Sequence, residues 1–128
     1  TAVGYHSLLS NTTGPGLVAC GSHALGQNTT GGYNVALGLY AAYYNTTGAS
    51  NVAIGQNTFQ TNTTGSFNVA IGKEALFANT TASNNVAVGN QTLKANTTGT
   101  SNTAVGGDAL ATNTTANNNK ATGKSALR

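Results

Sequence analysis

Seven copies of Asn-Thr-Thr, beginning at Asn11, Asn28, Asn45, Asn62, Asn79, Asn96 and Asn113, recur at a constant step of 17 residues without an insertion or deletion. A second beat runs in step with the first: Asn34, Asn51, Asn68, Asn85, Asn102 and Asn119 each open a unit, Leu17 opens the one before them, and Thr1 takes the second position of a truncated first unit. A period so short and strict predicts a solenoid, because no 17-residue unit can bury its own apolar face without neighbours stacked on it. The 128 residues then make one repeat segment, 1–128, with units starting near 1, 17, 34, 51, 68, 85, 102 and 119, or about seven and a half coils.

Aligned on this period, the second column reads Thr1, Val18, Val35, Val52, Val69, Val86, Thr103, Lys120, and the fourth reads Val3, Cys20, Leu37, Ile54, Ile71, Val88, Val105, Thr122. Between them Ala fills every third position, from Ala2 to Ala121, and Gly every fifth, from Gly4 to Gly123. Val and Ile suit a pleated strand, whose side chains alternate between its two faces. The expected interior is therefore the β-branched pair of columns: Val35, Leu37, Val52, Ile54, Val69, Ile71, Val86 and Val88. The Gly allows the corner that ends the strand.

A ninth column of Leu8, Leu25, Ala42, Phe59, Leu76, Leu93, Leu110 and Leu127 is expected to close the coil from the opposite wall as a short second strand, placing Leu76 and Leu93 in the core. The Asn-Thr-Thr-Gly that follows supplies a second corner. The fold class is thus all-β, a parallel β-solenoid with 17-residue coils, in which identical residues lie over one another at the ~4.8 Å strand spacing and Asn amides bond the coils above and below. That spacing gives a rod of roughly 36 Å. A helix pair per unit is excluded by the universal Gly and the β-branched columns. With Val and Ile inward, the Ala column would line an outer face, and its uniform smallness predicts a close-packed neighbour: lateral association of identical rods about a threefold or twofold axis.

Composition narrows the functions. Only 5% of residues are charged and the net charge of +3 is dispersed, which argues against nucleic acid. A single cysteine, Cys20, excludes an internal disulfide, and its Val/Ile column suggests a small buried hydrophobe. No apolar run approaches the ~20 residues of a membrane span, so this segment is not expected to insert into one. The chain starts and stops inside repeats and lacks an initiator Met, so it reads as a segment of something longer or as a processed chain. Lys120 and Thr122 break the apolar columns in the last unit, as terminal repeats do.

Residues that could carry chemistry are few. His6 and His23 share the seventh column on adjacent coils, within reach of one metal ion, but two imidazoles without an acid are too few ligands for a metal site. Glu74 and Asp108 are the only acids and fall in that column two coils apart, with no group placed to make either a general acid or base. Neither a catalytic residue nor a cofactor site is assigned, and an enzyme is not expected. All seven Asn-Thr-Thr triplets match the N-glycosylation acceptor pattern, although a glycan on every ~4.8 Å rung would be severely crowded. The two Thr columns adjoin in sequence and would face opposite ways, which argues against the double Thr row of an ice-binding face.

The units NVALG (Asn34 to Gly38), NVAIG (Asn51 to Gly55 and Asn68 to Gly72) and NVAVG (Asn85 to Gly89) resemble the head repeats of YadA-type trimeric autotransporter adhesins. The longer NVAIGKEALFANTT, Asn68 to Thr81, is similar to repeats of phage and bacterial tail-fibre-like proteins. The resemblance covers the whole chain and implies left-handed parallel β-rolls that trimerise, with the Val and Ile columns inside. It implies a non-enzymatic structural and adhesive fibre segment, extracellular, on a cell surface or virion. The partners would be its own copies and a host-surface glycan or matrix protein. Tyr40, Tyr43 and Tyr44 form the candidate adhesive surface, since aromatics supply much of the energy of contact patches. The alternative is a self-stacking filament subunit, whose unpaired strand edges template end-to-end growth.

Overall fold

The computed structural model describes residues 1–128 and contains eight short strands and no helix. They are β1 (Ala2–Val3), β2 (Val18–Cys20), β3 (Val35–Leu37), β4 (Val52–Ile54), β5 (Val69–Ile71), β6 (Val86–Val88), β7 (Thr103–Val105) and β8 (Lys120–Thr122). All pair in parallel in sequence order as one sheet. The register steps by 17 throughout, so Val35 lies over Val52, Ala36 over Ala53 and Leu37 over Ile54. The chain is a β-solenoid of about seven turns, each coil one repeat.

The face assignment is the reverse of the one the residue sizes suggest. Ala19, Ala36, Ala53, Ala70, Ala87 and Ala104 are completely buried, whereas Val35, Leu37, Val52, Ile54, Val69, Ile71, Val86 and Val88 are only half-buried on the outer face. Strand alternation separates the Ala column from the Val/Ile columns but does not say which points in. The width of the coil decides it. Leu25, Leu76, Leu93 and Phe59 reach in from the opposite wall and are fully buried, so a 17-residue circuit is too thin to hold a second layer of large side chains across from them. Cys20 moves outward with its column and is exposed. The Ala column is consequently not a contact surface for a neighbouring rod. Enlarging the inner position should therefore cost more than placing a hydroxyl at the outer one. Ala70→Val is expected to destabilise by about 1–3 kcal/mol through overpacking and Val69→Thr by less than about 1 kcal/mol, read from urea unfolding midpoints.

The opposite wall is not a strand. Residues six to eleven of each unit run through overlapping turns, closed by bonds such as Ala41 N–H to Gly38 O (3.3 Å) and Asn45 N–H to Ala42 O (3.1 Å). The backbone is left-handed at the seventh and ninth positions, as at Glu74 (φ 57°) and Leu76 (φ 50°). A left-handed residue carrying a side chain costs roughly 1–2 kcal/mol. Here it turns the ninth side chain into the core, and the turn is held from both sides: Tyr40 N–H bonds Ser22 O at 3.0 Å on the preceding coil and Ala42 N–H bonds Thr58 O at 2.9 Å on the following one. Of 82 backbone hydrogen bonds only 13 lie within the strands, and the turns and corners also bond each coil to the next, as Thr46 N–H to Thr63 O at 3.0 Å.

Candidate functional site

Two asparagine ladders run the length of the rod inside its wall. In the first, each Asn-Thr-Thr asparagine donates from Nδ2 to Oδ1 of the one before it: Asn28 to Asn11 (2.9 Å), Asn45 to Asn28 (2.8 Å), Asn62 to Asn45 (2.7 Å), Asn79 to Asn62 (3.0 Å), Asn96 to Asn79 (3.3 Å) and Asn113 to Asn96 (2.8 Å). In the second, the Oδ1 of each unit-opening asparagine accepts the backbone N–H of its successor, as Asn51 N–H to Asn34 and Asn68 N–H to Asn51, both 2.9 Å. The ladders meet at one carbonyl per coil. Gly65 O accepts from both Asn51 Nδ2 (2.9 Å) and Asn62 Nδ2 (3.0 Å), tying the two corners of the circuit together. No buried side-chain nitrogen or oxygen lacks a partner, so a wall rich in amides carries no desolvation debt.

This geometry corrects the glycosylation reading. Asn28, Asn45, Asn62, Asn79 and Asn96 are buried, and the Nδ2 atom to which a glycan would attach is engaged within the wall. Asn11 and Asn113, at the two ends of the row, are half-buried but their Nδ2 atoms also donate, to Gly14 O and to Asn96 Oδ1. In the folded chain the triplets are structural. Their first threonines are structural as well: Thr29 Oγ1 donates to Thr46 O and Thr46 Oγ1 to Thr63 O, both at 3.0 Å. The second threonines, from Thr13 to Thr115, form a single exposed row.

The candidate adhesive tyrosines lie in a larger aromatic assembly. Tyr5 stacks on His6 (centroids 3.8 Å apart), His6 meets His23 edge-on (5.3 Å), and His23 stacks on Tyr40 (4.7 Å). Tyr40 then contacts Tyr43 (5.3 Å), which contacts Tyr44 (4.6 Å). Sequence reasoning treated the histidines and tyrosines separately; that His6, His23 and Tyr40 occupy one column at the 17-residue step was the signal that joins them. No group of three or more His, Cys, Asp or Glu residues is placed to hold a metal ion.

Glu74 and Asp108 are not brought together. Glu74 instead pairs with the next coil, its carboxylate accepting from Lys94 Nζ at 2.7 Å and Gln91 Nε2 at 3.0 Å. The hydrogen bond from Lys94 holds the Glu74 carboxyl below its ordinary value, outweighing a partial burial that pushes it up. A depressed folded pKa contributes stability above the unfolded value and loses it as pH falls through the folded one. The Lys94 side chain is 40% exposed, so the contribution is small. Glu74→Gln is expected to flatten slightly the fall in melting temperature between about pH 5 and about pH 3 and to leave neutral melting almost unchanged.

Eight parallel strands stacked in register at a 17-residue step, with amide ladders within the wall, define the class: a β-solenoid repeat protein. No match to the chain was found among protein-family models, curated proteins or solved structures.

Proposed function

We propose that the chain is a rigid, non-enzymatic segment of an extracellular fibre, of the kind found in trimeric surface adhesins and phage tail fibres, in which identical rods associate side by side. What supports this is the outer face of the sheet. Val35, Leu37, Val52, Ile54, Val69, Ile71, Val86 and Val88 form two continuous apolar rows, half-buried by their own stacking and covered by nothing else in the chain. A continuous apolar strip repeated coil after coil along one face of a rod is the kind of surface that a partner covers. The second copy presents the same strip, and closed symmetry lets two or three rods bury it against one another. The sheet face thus takes the role that the residue sizes had suggested for the Ala column.

Sedimentation over a hundredfold range of concentration tests the proposal. The expected result is a fixed trimer that Ile54→Lys with Ile71→Lys converts to monomer while circular dichroism stays unchanged; Lys120 already occupies the same outer face in β8. A wild-type monomer throughout that range would overturn lateral association. Growth without limit would instead favour the end-to-end filament, with the coil ends as the functional surface.

A further inference from the structure

The aromatic assembly of the first three coils is held in place. Tyr43 lies over Gly26 of the preceding coil, where an added Cβ would come within 2.7 Å of the ring, and its hydroxyl accepts from Gln27 Nε2 at 3.2 Å. That glycine stands in the tenth column, which carries Tyr43 itself on the next coil and elsewhere Leu9, Gln60, Phe77, Lys94, Ala111 and Arg128. Tyr40 is fixed between the stacked imidazole of His23 and the edge of Tyr43. Ser22 Oγ lies 2.8 Å from His23 Nδ1 and orients that ring in turn. The outer members remain open, Tyr5 at 67% and Tyr44 at 49% exposure. Six rings therefore form an ordered platform on the side of the rod, and the molecule has no enclosed pocket.

The chemistry around the platform says what it fits. No Asp, Glu, Lys or Arg occurs before Lys73, so the first four coils offer no carboxylate, ammonium or guanidinium side chain to pair with an ionic ligand. Its rim is amide and hydroxyl: Gln27 and Ser22 beside it, with Asn57 and Gln60 in the same columns of the next coil. Preordered aromatic faces with polar, uncharged edges match a pyranose ring, which has apolar C–H faces and hydroxyl edges. The absence of a pocket suits a ligand that lies flat along the rod.

From this we infer that Tyr5, Tyr40, Tyr43 and Tyr44, positioned by His6, His23 and Gly26, bind a neutral oligosaccharide chain. The inference deepens the adhesive reading by naming the ligand class, and it does not depend on the number of rods. Lateral association would multiply the platform and raise avidity.

The test titrates the intact chain with neutral hexasaccharides (cellohexaose, the fully N-acetylated chitohexaose, laminarihexaose and maltohexaose), with a heparin hexasaccharide as the anionic probe, following tyrosine fluorescence and binding heat. The variant combines Tyr40→Asn, Tyr43→Gln and Tyr44→Thr, the residues that the next coil carries at the same positions, so the coil geometry is retained and an unchanged melting curve verifies it. Saturable binding of at least one neutral hexasaccharide is expected, weakened at least tenfold in the triple variant and unaffected by Tyr33→Ser, which lies in another column. Binding of heparin alone, binding that the triple variant leaves intact, or no binding by any member of the neutral panel would overturn the inference. Sedimentation reports separately on the fibre reading, so the failure of one is distinguishable from the failure of the other.

Discussion

Replacing Gly55 by alanine is expected to destabilise the rod by about 3–5 kcal/mol, from one source in backbone conformation and one in close approach. Gly55 has φ of 135°, a region nearly closed to residues with a Cβ, and an added Cβ would fall 2.7 Å from Gly72 C and 2.8 Å from Gly72 O on the following coil. The atoms it meets are all backbone, with no flexible side-chain end to move aside. The two sources can be separated. Gly123 has a similar φ of 117° with nothing within 4 Å, so Gly123→Ala carries the conformational cost alone. Gly107→Ala is the control: its φ is outside the left-handed region and its nearest contact would be Asn90 O at 3.8 Å. It should be neutral or stabilising by about 0.5 kcal/mol through the unfolded chain. Urea midpoints for the three variants check the order.

Asn62→Ala is the second large effect, expected at about 3–4 kcal/mol. Asn62 donates to Asn45 Oδ1 (2.7 Å) and Gly65 O (3.0 Å), and its own Oδ1 accepts from Gly65 N–H (3.1 Å) and Asn79 Nδ2 (3.0 Å). Gly65 O keeps Asn51 Nδ2 and Asn79 Nδ2 keeps Ala82 O, but Asn45 Oδ1 and Gly65 N–H lose the partner they have. A typical bond contributes about 1 kcal/mol net, and an orphaned buried group costs about 1–3 kcal/mol. Each coil of a solenoid is stabilised by its neighbours, so a break at the middle of the stack should also reduce cooperativity. A lower denaturant midpoint with a shallower slope is the expected signature. Loss of only a few tenths of a kcal/mol would mean that water replaces the amide and that the ladders contribute little.

The aromatic platform was partly legible. Tyr40, Tyr43 and Tyr44 stand out in a chain with eight aromatic residues, and the seventh column placed His6 and His23 one above the other. The shared column joins His6, His23 and Tyr40, whereas the seat at Gly26 that holds the Tyr43 ring is visible only in the folded coil. In the sequence Glu74 stands apart from any other acid, yet Lys94 lies three positions further along the unit and one coil on, with its Nζ 2.7 Å from the carboxylate. Partners of that kind depend on the lateral offset between neighbouring columns, which the repeat length alone does not supply.

The repeat determined the architecture by itself. A step of 17 with Gly at every fifth position and β-branched residues beside Ala admits a parallel stack of coils in register and little else, and the buried asparagine ladders follow from identical residues lying over one another. Two features required the folded coil. Leu76 and its column are left-handed, although nothing in leucine favours that conformation; the wall turns them inward because the core there needs filling. The Val and Ile rows face outward for the complementary reason. Alternation along a strand is a local property that the sequence displays, whereas the inside of a closed circuit is set by its width, and 17 residues enclose room for leucine from one wall and only alanine from the other.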